Sequence, residues 1–545
     1  MARILITARA VYAGDPPRPG PTAVLVEDDR IAWVGDDPEA RPPGRLYRRV
    51  DLGQAVVVPG FVDAHFHLAT VVAMSPAVDL RDVRSARAVV GRMARAAARA
   101  PEGSWVVGWG FRELLGGTGR WLTRQDLDAA VPDRPSLVIH GSFHSGVANS
   151  AALAAVGFGR ATPRWPGGEL ERDARGRPNG RLWERAFGVV EHAAHRSTLE
   201  ALGTGWAERA GAVAGDLLSQ GITHIADALL TPPEIERASD ADLPLGVTAM
   251  PVSERGWYAS PGAVLEGPRT DEGDERFRIG HLKLVADGGE RCAMRVPYRA
   301  AVRAAGVAGA GGTTPLQAWR MLRPRLGPAS VRTGTLHYGP GELAETVRRA
   351  RRAGFAVAVH ALGNEAIEQA LSALERGGPE GARIEHAMFA TPGHAEHMAR
   401  LGVTAVIQPG HLWSYGSLVA DAGIARFLPP VPARTLIDAG VQVALSSDAP
   451  TAVWEPLRIL RVAVERRTEE GKPLAPGQAI TRGEALRAAT VAGAEAAGVG
   501  GRKGVISPGR QADLAVLSAD PFDPRTTVLQ TWVAGKRVWG AAGAT

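Results

Sequence analysis

The stretch "VVVPGFVDAHFHLAT", residues 56–70, decides how this chain is read. An apolar run rises, breaks at Pro59-Gly60, resumes, and ends with His65 and His67 one residue apart. In a β-strand, residues i and i+2 point to the same face. Two imidazoles at the end of a buried strand therefore project together, and both can bind one ion at about 2.0–2.1 Å. An H-x-H pair also arises by chance, so partners must be sought elsewhere in the chain.

The chain has 545 residues, 45% hydrophobic and 22% charged, which is ordinary for a soluble globular protein. No window offers the ~18 apolar residues of a membrane span. The opening "MARILITARAVYAG" is too short and too broken for a signal peptide, so a cytoplasmic protein is expected. Cys292 is the one cysteine, which excludes an internal disulfide and a Cys-rich metal site. Any metal must be held by His and carboxylates. The net charge of +6 comes from scattered arginines, many beside Asp or Glu. With no basic stripe interleaved with aromatics, neither nucleic acid nor a membrane is expected as a partner.

Around the opening stretch the chain divides into three parts. The first ~55 residues and the last ~45 read as short strands with Gly, Asp and Pro turns. The two ends, 1–55 and 500–545, are expected to pair into one small β-sandwich. Between them, residues 56–499 alternate apolar strands with helical patterns. The strands are "VVVPGFVDAH", "GITHIADA", "PLGVTAMPV", "IGHLKLVADG", "FAVAVHALG", "RIEHAM", "GVTAVIQPG" and "GVQVALSSDAP". Eight strands feeding helices predict a (β/α)8 TIM-like barrel, an α/β fold. An insertion of about 71–218 follows the first strand and is expected to shape the substrate pocket. The stretch "AAGVAGAGGTTP", residues 304–315, reads as a flexible loop.

In such a barrel the strand C-termini open onto one face, where catalytic groups gather. His65 and His67 close the first strand, His360 the fifth, His386 the sixth and Asp448 the eighth, while Lys283 lies within the fourth. Singly, each has a plain structural explanation: a bonded core histidine or a turn-capping aspartate. Together they would need that explanation five times over. Lys283 is one of only four lysines, with Lys472, Lys503 and Lys536, and it sits in an apolar strand where an unpaired ammonium is costly. Either it pairs with Asp287, or its neutral amine takes up CO2 and the resulting N6-carboxylysine bridges two metals.

The order H-x-H, Lys, His, His, Asp, with "VPGFVDAHFHL", "VGWGF", "PGGELERDARGRPNGRLWE", "AVAVHALGNEAIEQAL", "RIEHA", "SSDAP" and "ISPGRQADLAVL", resembles the amidohydrolase superfamily. More narrowly it resembles the YtcJ-like, or amidohydrolase-3, branch. The chain departs from the branch pattern at Gly110-Phe111-Arg112, at Asn364, and at Gly289-Glu290-Arg291-Cys292-Ala293. The resemblance implies a metal-dependent hydrolase that cleaves a C–N amide-type bond (amide, N-acyl or formamide), and hints at a homodimer. One or two divalent ions, with zinc expected, would be held by His65, His67, Lys283, His360, His386 and Asp448. Asp448 would be general base and acid, and Lys283 would take part in catalysis. His144 matches the branch's Gly-His position. Trp109, Asn149 and Asp287 complete the expected substrate-binding set, although Trp109 also suits a core and Asn149 a helix cap. Alternatives on the same scaffold are an isomerase, a decarboxylase, an esterase, or a non-catalytic regulatory or binding protein.

Overall fold

The computed structural model describes residues 3–36, 47–83, 85–112, 121–310, 323–422 and 424–540. Its centre is built from eight parallel strands: β1 (Phe61–Phe66), β2 (Ile222–Leu230), β3 (Gly246–Pro251), β4 (in two pieces, Phe277–Ile279 and Leu282–Val285), β5 (Val357–Ala361), β6 (Arg383–His386), β7 (Thr404–Ile407) and β8 (Val443–Leu445). The first piece of β4 heads a four-stranded sheet, β4-β3-β2-β1. The second piece heads a five-stranded sheet, β4-β5-β6-β7-β8. The outcome is a TIM-barrel-like α/β fold, in which helices such as Glu342–Arg352, Asn364–Gly377 and Pro392–Leu401 return the chain between strands.

No strand ladder joins β8 to β1 among the described residues; side chains and two backbone bonds do the joining. The Asp448 N–H donates to His65 O at 2.9 Å, and the His67 N–H to Ala449 O at 3.2 Å. Asp63 of β1 accepts from the Ser447 N–H at 3.0 Å and from its hydroxyl at 2.5 Å. The first and last ligand-bearing segments are thereby fastened to each other.

The stretch that opened the reading proves to be two strands. Val56–Pro59, expected to begin the barrel, instead pairs antiparallel with Leu514–Leu517 and parallel with Ala10–Ala13. The chain pivots at Gly60, where a Cβ would fall 2.3 Å from Thr223 Oγ1. Strands from both ends of the chain share that six-stranded sheet. A buried core of Ile4, Ile6, Val24, Val57, Leu514, Val516 and Trp532 links it to a second sheet of four strands. A helix covers Tyr298–Ala310, so residues 304–310 are helical rather than the expected loop, and residues 311–315 lie outside the described set. Alanine, the strongest helix former, outweighs the glycines there.

The insertion carries its own six-stranded sheet, which includes Val106–Phe111, Ser136–His140, Ser145–Ala148 and Pro178–Glu184. Two residues expected at the substrate are structural within it. Asn149 caps helix Ser150–Ala155: its Oδ1 accepts from the N–H groups of Ser136 and Ala152, both at 2.9 Å. Its Nδ2 donates to Val131 O at 2.9 Å and Arg134 O at 2.8 Å. Trp109 packs against the core, with Arg81 4.6 Å above its ring. The insertion's long helix, Arg185–Leu202, is tied to the barrel by a buried pair, His195 Nε2 to Glu234 Oε1 at 2.5 Å. Burial opposes a charged His195, but Glu234 outweighs it and lifts the pKa to about 9.

Two outcomes follow for stability. Asn149→Ala leaves buried N–H and C=O groups without partners, so urea unfolding should show a loss of about 2 kcal/mol, with bound metal per chain unchanged. His195 holds its proton more tightly folded than unfolded. Its contribution is full below about pH 6.5 and is lost as pH rises through about 9. The urea midpoint of the wild type should therefore fall more steeply across that window than the midpoint of His195→Gln.

Candidate metal centre and cavity

The C-terminal ends of the barrel strands deliver His65, His67, His360, His386 and Asp448 to one buried place, with Lys283 beside them. The ring centroids of His65 and His386 are 5.0 Å apart, and those of His360 and His386 4.5 Å. Ligand atoms of His65, His67 and Asp448 lie within 4.8 Å of one another, as do those of His386, His411 and Asp448.

Each of three imidazoles is held through Nδ1, which leaves Nε2 facing its neighbours. His65 Nδ1 bonds Glu385, His67 Nδ1 donates to Ala228 O at 3.0 Å, and His386 Nδ1 donates to Gln408 Oε1 at 2.8 Å. An acceptor behind a ring nitrogen fixes the tautomer and orients the other nitrogen's lone pair. His67 Nε2 then faces Asp448 Oδ1 at 2.9 Å, and His65 Nε2 faces the same oxygen at 3.4 Å. Three electron-pair donors turned on one another repel unless a cation or a proton lies between them. Burial above all holds His65 at a pKa of about 4, and His360 and His386 well below the usual histidine range. Neutral imidazole is the ligand form. The donor set fits a divalent metal.

The surroundings reinforce that polarity. Glu385 lies between His65 and Arg383, and its carboxylate stays ionised because Arg383, Lys283 and His65 overcome the cost of burial. Arg383 also donates to Ala64 O at 2.5 Å and Ala496 O at 2.7 Å. Lys283 Nζ is 3.3 Å from His65 Nε2, and burial lowers its pKa to about 8. Asp448 Oδ2 accepts from Thr451 Oγ1 at 2.8 Å and lies 3.2 Å from His411 Nε2. The Asp448 backbone is left-handed (φ 58°), a conformation Asp tolerates better than most residues.

Of the expected substrate-binding residues, His144 reaches the cavity. Its Nδ1 bonds Glu184 at 2.8 Å, and its ring centroid stands 5.1 Å from that of His360. Trp109 and Asn149 are absent from the lining. Asp287 is neither on the lining nor paired with Lys283: it accepts N–H bonds from Ala293, Leu362 and Gly363 at 2.8–3.0 Å. Its Oδ1 stands 3.6 Å from His360 Nε2, beyond hydrogen-bond reach. Glu385, Gln408, His411 and Glu184 escaped the sequence reading. Glu385 had a signal, a carboxylate between Arg383 and the strand-ending His386 in a strand expected to be buried. The other three had none beyond their types.

Above the donors lies a cavity of about 410 Å³. Its wall is largely apolar and aromatic, with Phe143, Trp257, Leu362, Phe389, Leu412 and Tyr415. Cys292 also borders it, as a thiol that burial pushes well above its ordinary pKa.

Comparison with known proteins agrees with this geometry. The chain is 32% identical over 534 residues to an N-substituted formamide deformylase of Arthrobacter pascens, with 94% of each chain covered. It is 28% identical over 518 residues to YtcJ of Bacillus subtilis, covering 92% of this chain and 91% of that one. The solved structure of an uncharacterised metal-dependent hydrolase of Pyrococcus horikoshii matches 96% of this chain and 98% of its own, with a TM-score of 0.69 at 22% identity, a likeness of fold. The model of the amidohydrolase family matches residues 48–539. The chain belongs to the amidohydrolase family, as a hydrolase acting on carbon–nitrogen bonds.

Proposed function

We propose that this protein hydrolyses an amide-type bond (amide, N-acyl or formamide) of a small molecule with the help of a divalent metal, zinc by preference. The observation that carries the reading is the inward convergence of lone pairs from His65, His67 and Asp448. His65, His67, His386 and Asp448 would hold the metal, joined by His360 and, once carboxylated, by Lys283. Carboxylation of Lys283 is part of the proposal, supported by a buried amine whose pKa is lowered to about 8.

A bound divalent ion lowers the pKa of water toward ~7 and polarises a carbonyl. The protein's own groups do the rest. Asp448 takes one proton from the attacking water while the water oxygen bonds to the carbonyl carbon. His411 and Thr451 fix the carboxylate's second oxygen, so the first stays aimed at the donor cluster. When the C–N bond breaks, the electron pair leaves on nitrogen, and Asp448 returns the proton there. The products are a carboxylic acid and an amine. The apolar wall excludes bulk water and accepts hydrophobic substituents.

Chelation should abolish hydrolysis of a panel of formamides and acetamides, and zinc should restore it. In the zinc-loaded protein, Asp448→Asn should lower kcat by at least about 10²-fold with an unchanged circular dichroism spectrum. Bound metal with no turnover of any amide would overturn the reading. With ¹³C-bicarbonate, the wild type should show a carbamate carbon signal that Lys283→Met lacks.

A further inference from the structure

Nearly every charged group on the cavity wall is committed to a neighbour. Glu290 is held by His140 and by the Ser145 hydroxyl at 3.0 Å. Glu234 pairs with His195, and Glu191 bonds Trp257 with His195 Nδ1 4.0 Å away. Asp448 is engaged by His67, His411 and Thr451, and Lys283 stands against His65.

Arg112 differs. It enters the wall just after the insertion strand Val106–Phe111. Its guanidinium lies 4.3 Å from the Tyr415 ring centroid, and Nη1 donates to Ser414 O at 3.3 Å. Gly141 makes room for it: a Cβ there would fall 3.0 Å from Arg112 Nε. No ion pair to a carboxylate is formed by Arg112 among the described residues. A guanidinium carries five N–H donors in a rigid fork and keeps its charge at any working pH. Lying over a ring and beside a glycine on the cavity wall, it suits the bidentate binding of a carboxylate.

Its location says which half of the substrate bears that carboxylate. The Tyr415 ring centroid is 6.0 Å from that of His411, and His411 Nε2 is 3.2 Å from Asp448. Arg112 thus stands two aromatic rings, His411 and Tyr415, beyond the group that returns the proton to the leaving amine. Arg291 and Arg295 are engaged elsewhere: Arg291 is buried against Glu169 and Trp183, and Arg295 bonds Glu365. We infer that Arg112 binds a carboxylate on the amine half of the substrate, so that N-acyl or N-formyl amino acids are favoured over amides of uncharged amines. This rests on the carbon–nitrogen hydrolase reading above.

The test compares N-formylphenylalanine with its carboxamide, each as both enantiomers, on the zinc-loaded wild type, Arg112→Gln and Arg112→Lys. The wild type should favour the acid at least about tenfold in kcat/KM, chiefly through KM. Arg112→Gln should abolish that preference, and Arg112→Lys should restore part of it. An acid-to-carboxamide ratio equal in wild type and Arg112→Gln overturns the inference. Titration calorimetry with the same pair separates the two readings. If neither compound is hydrolysed but acid-selective binding is present and vanishes in Arg112→Gln, Arg112 keeps its role and the hydrolase reading falls. Acid binding that Arg112→Gln leaves unchanged overturns the role of Arg112.

Discussion

A set of buried electron-pair donors facing one another is the constraint around which this molecule is arranged. His67 Nε2 and His65 Nε2 both look at one oxygen of Asp448, and each is prevented from turning away by a bond behind its ring. Such an arrangement is unfavourable for an isolated chain, because desolvated lone pairs repel and neutral rings gain little from one another. It persists because the rest of the barrel over-determines it. The strands fix the backbones, Glu385 and Gln408 fix the tautomers, and Asp63 clamps Ser447 next to Asp448. Arg383 supplies the counter-charge that keeps Glu385 ionised, and it spends its remaining donors on backbone carbonyls of β1 and of the segment near Ala496. One cation among the donors converts the repulsion into attraction.

The insertion and the barrel contribute different kinds of chemistry. The barrel supplies the donors, all from strand ends. The insertion adds His144, bonded to Glu184, together with Phe143 and Arg112, to a wall that the barrel builds from Trp257, Leu362, Phe389, Leu412 and Tyr415. Glu184 has an unusual left-handed φ of 53° for a buried glutamate, a strain accepted where the hairpin turns into helix Arg185–Leu202 and presents its carboxylate to His144.

The α/β class was legible because long apolar strands alternate with helical periodicity. The donors were legible because a polar residue ending such a strand stands out against its neighbours. The supporting residues were less so. Gln408 and His411 flank a Pro-Gly pair, where polar residues are unremarkable, and their partners lie 22 and 37 positions away in the chain, as numbered here. Asn149 and Trp109 misled for the opposite reason: they sit in family-like stretches, yet one satisfies backbone groups and the other packs, half-buried, against a core. Asp287 was drawn toward Lys283 by proximity in sequence, although a strand end turns it to the N–H groups of the next loop. The break at Gly60 was visible as Pro-Gly, but that it separates two sheets depends on a pairing with residues 514–517 that no local pattern reveals.

That last pairing bears on how the protein is made. The strand leading into His65 and His67 is hydrogen-bonded to one that lies more than four hundred residues later in the chain. During synthesis the early histidines emerge long before their clamp. The nascent chain can pair Val56–Pro59 with Ala10–Ala13 at once, but the strand's other edge stays open until residues 514–517 have been made.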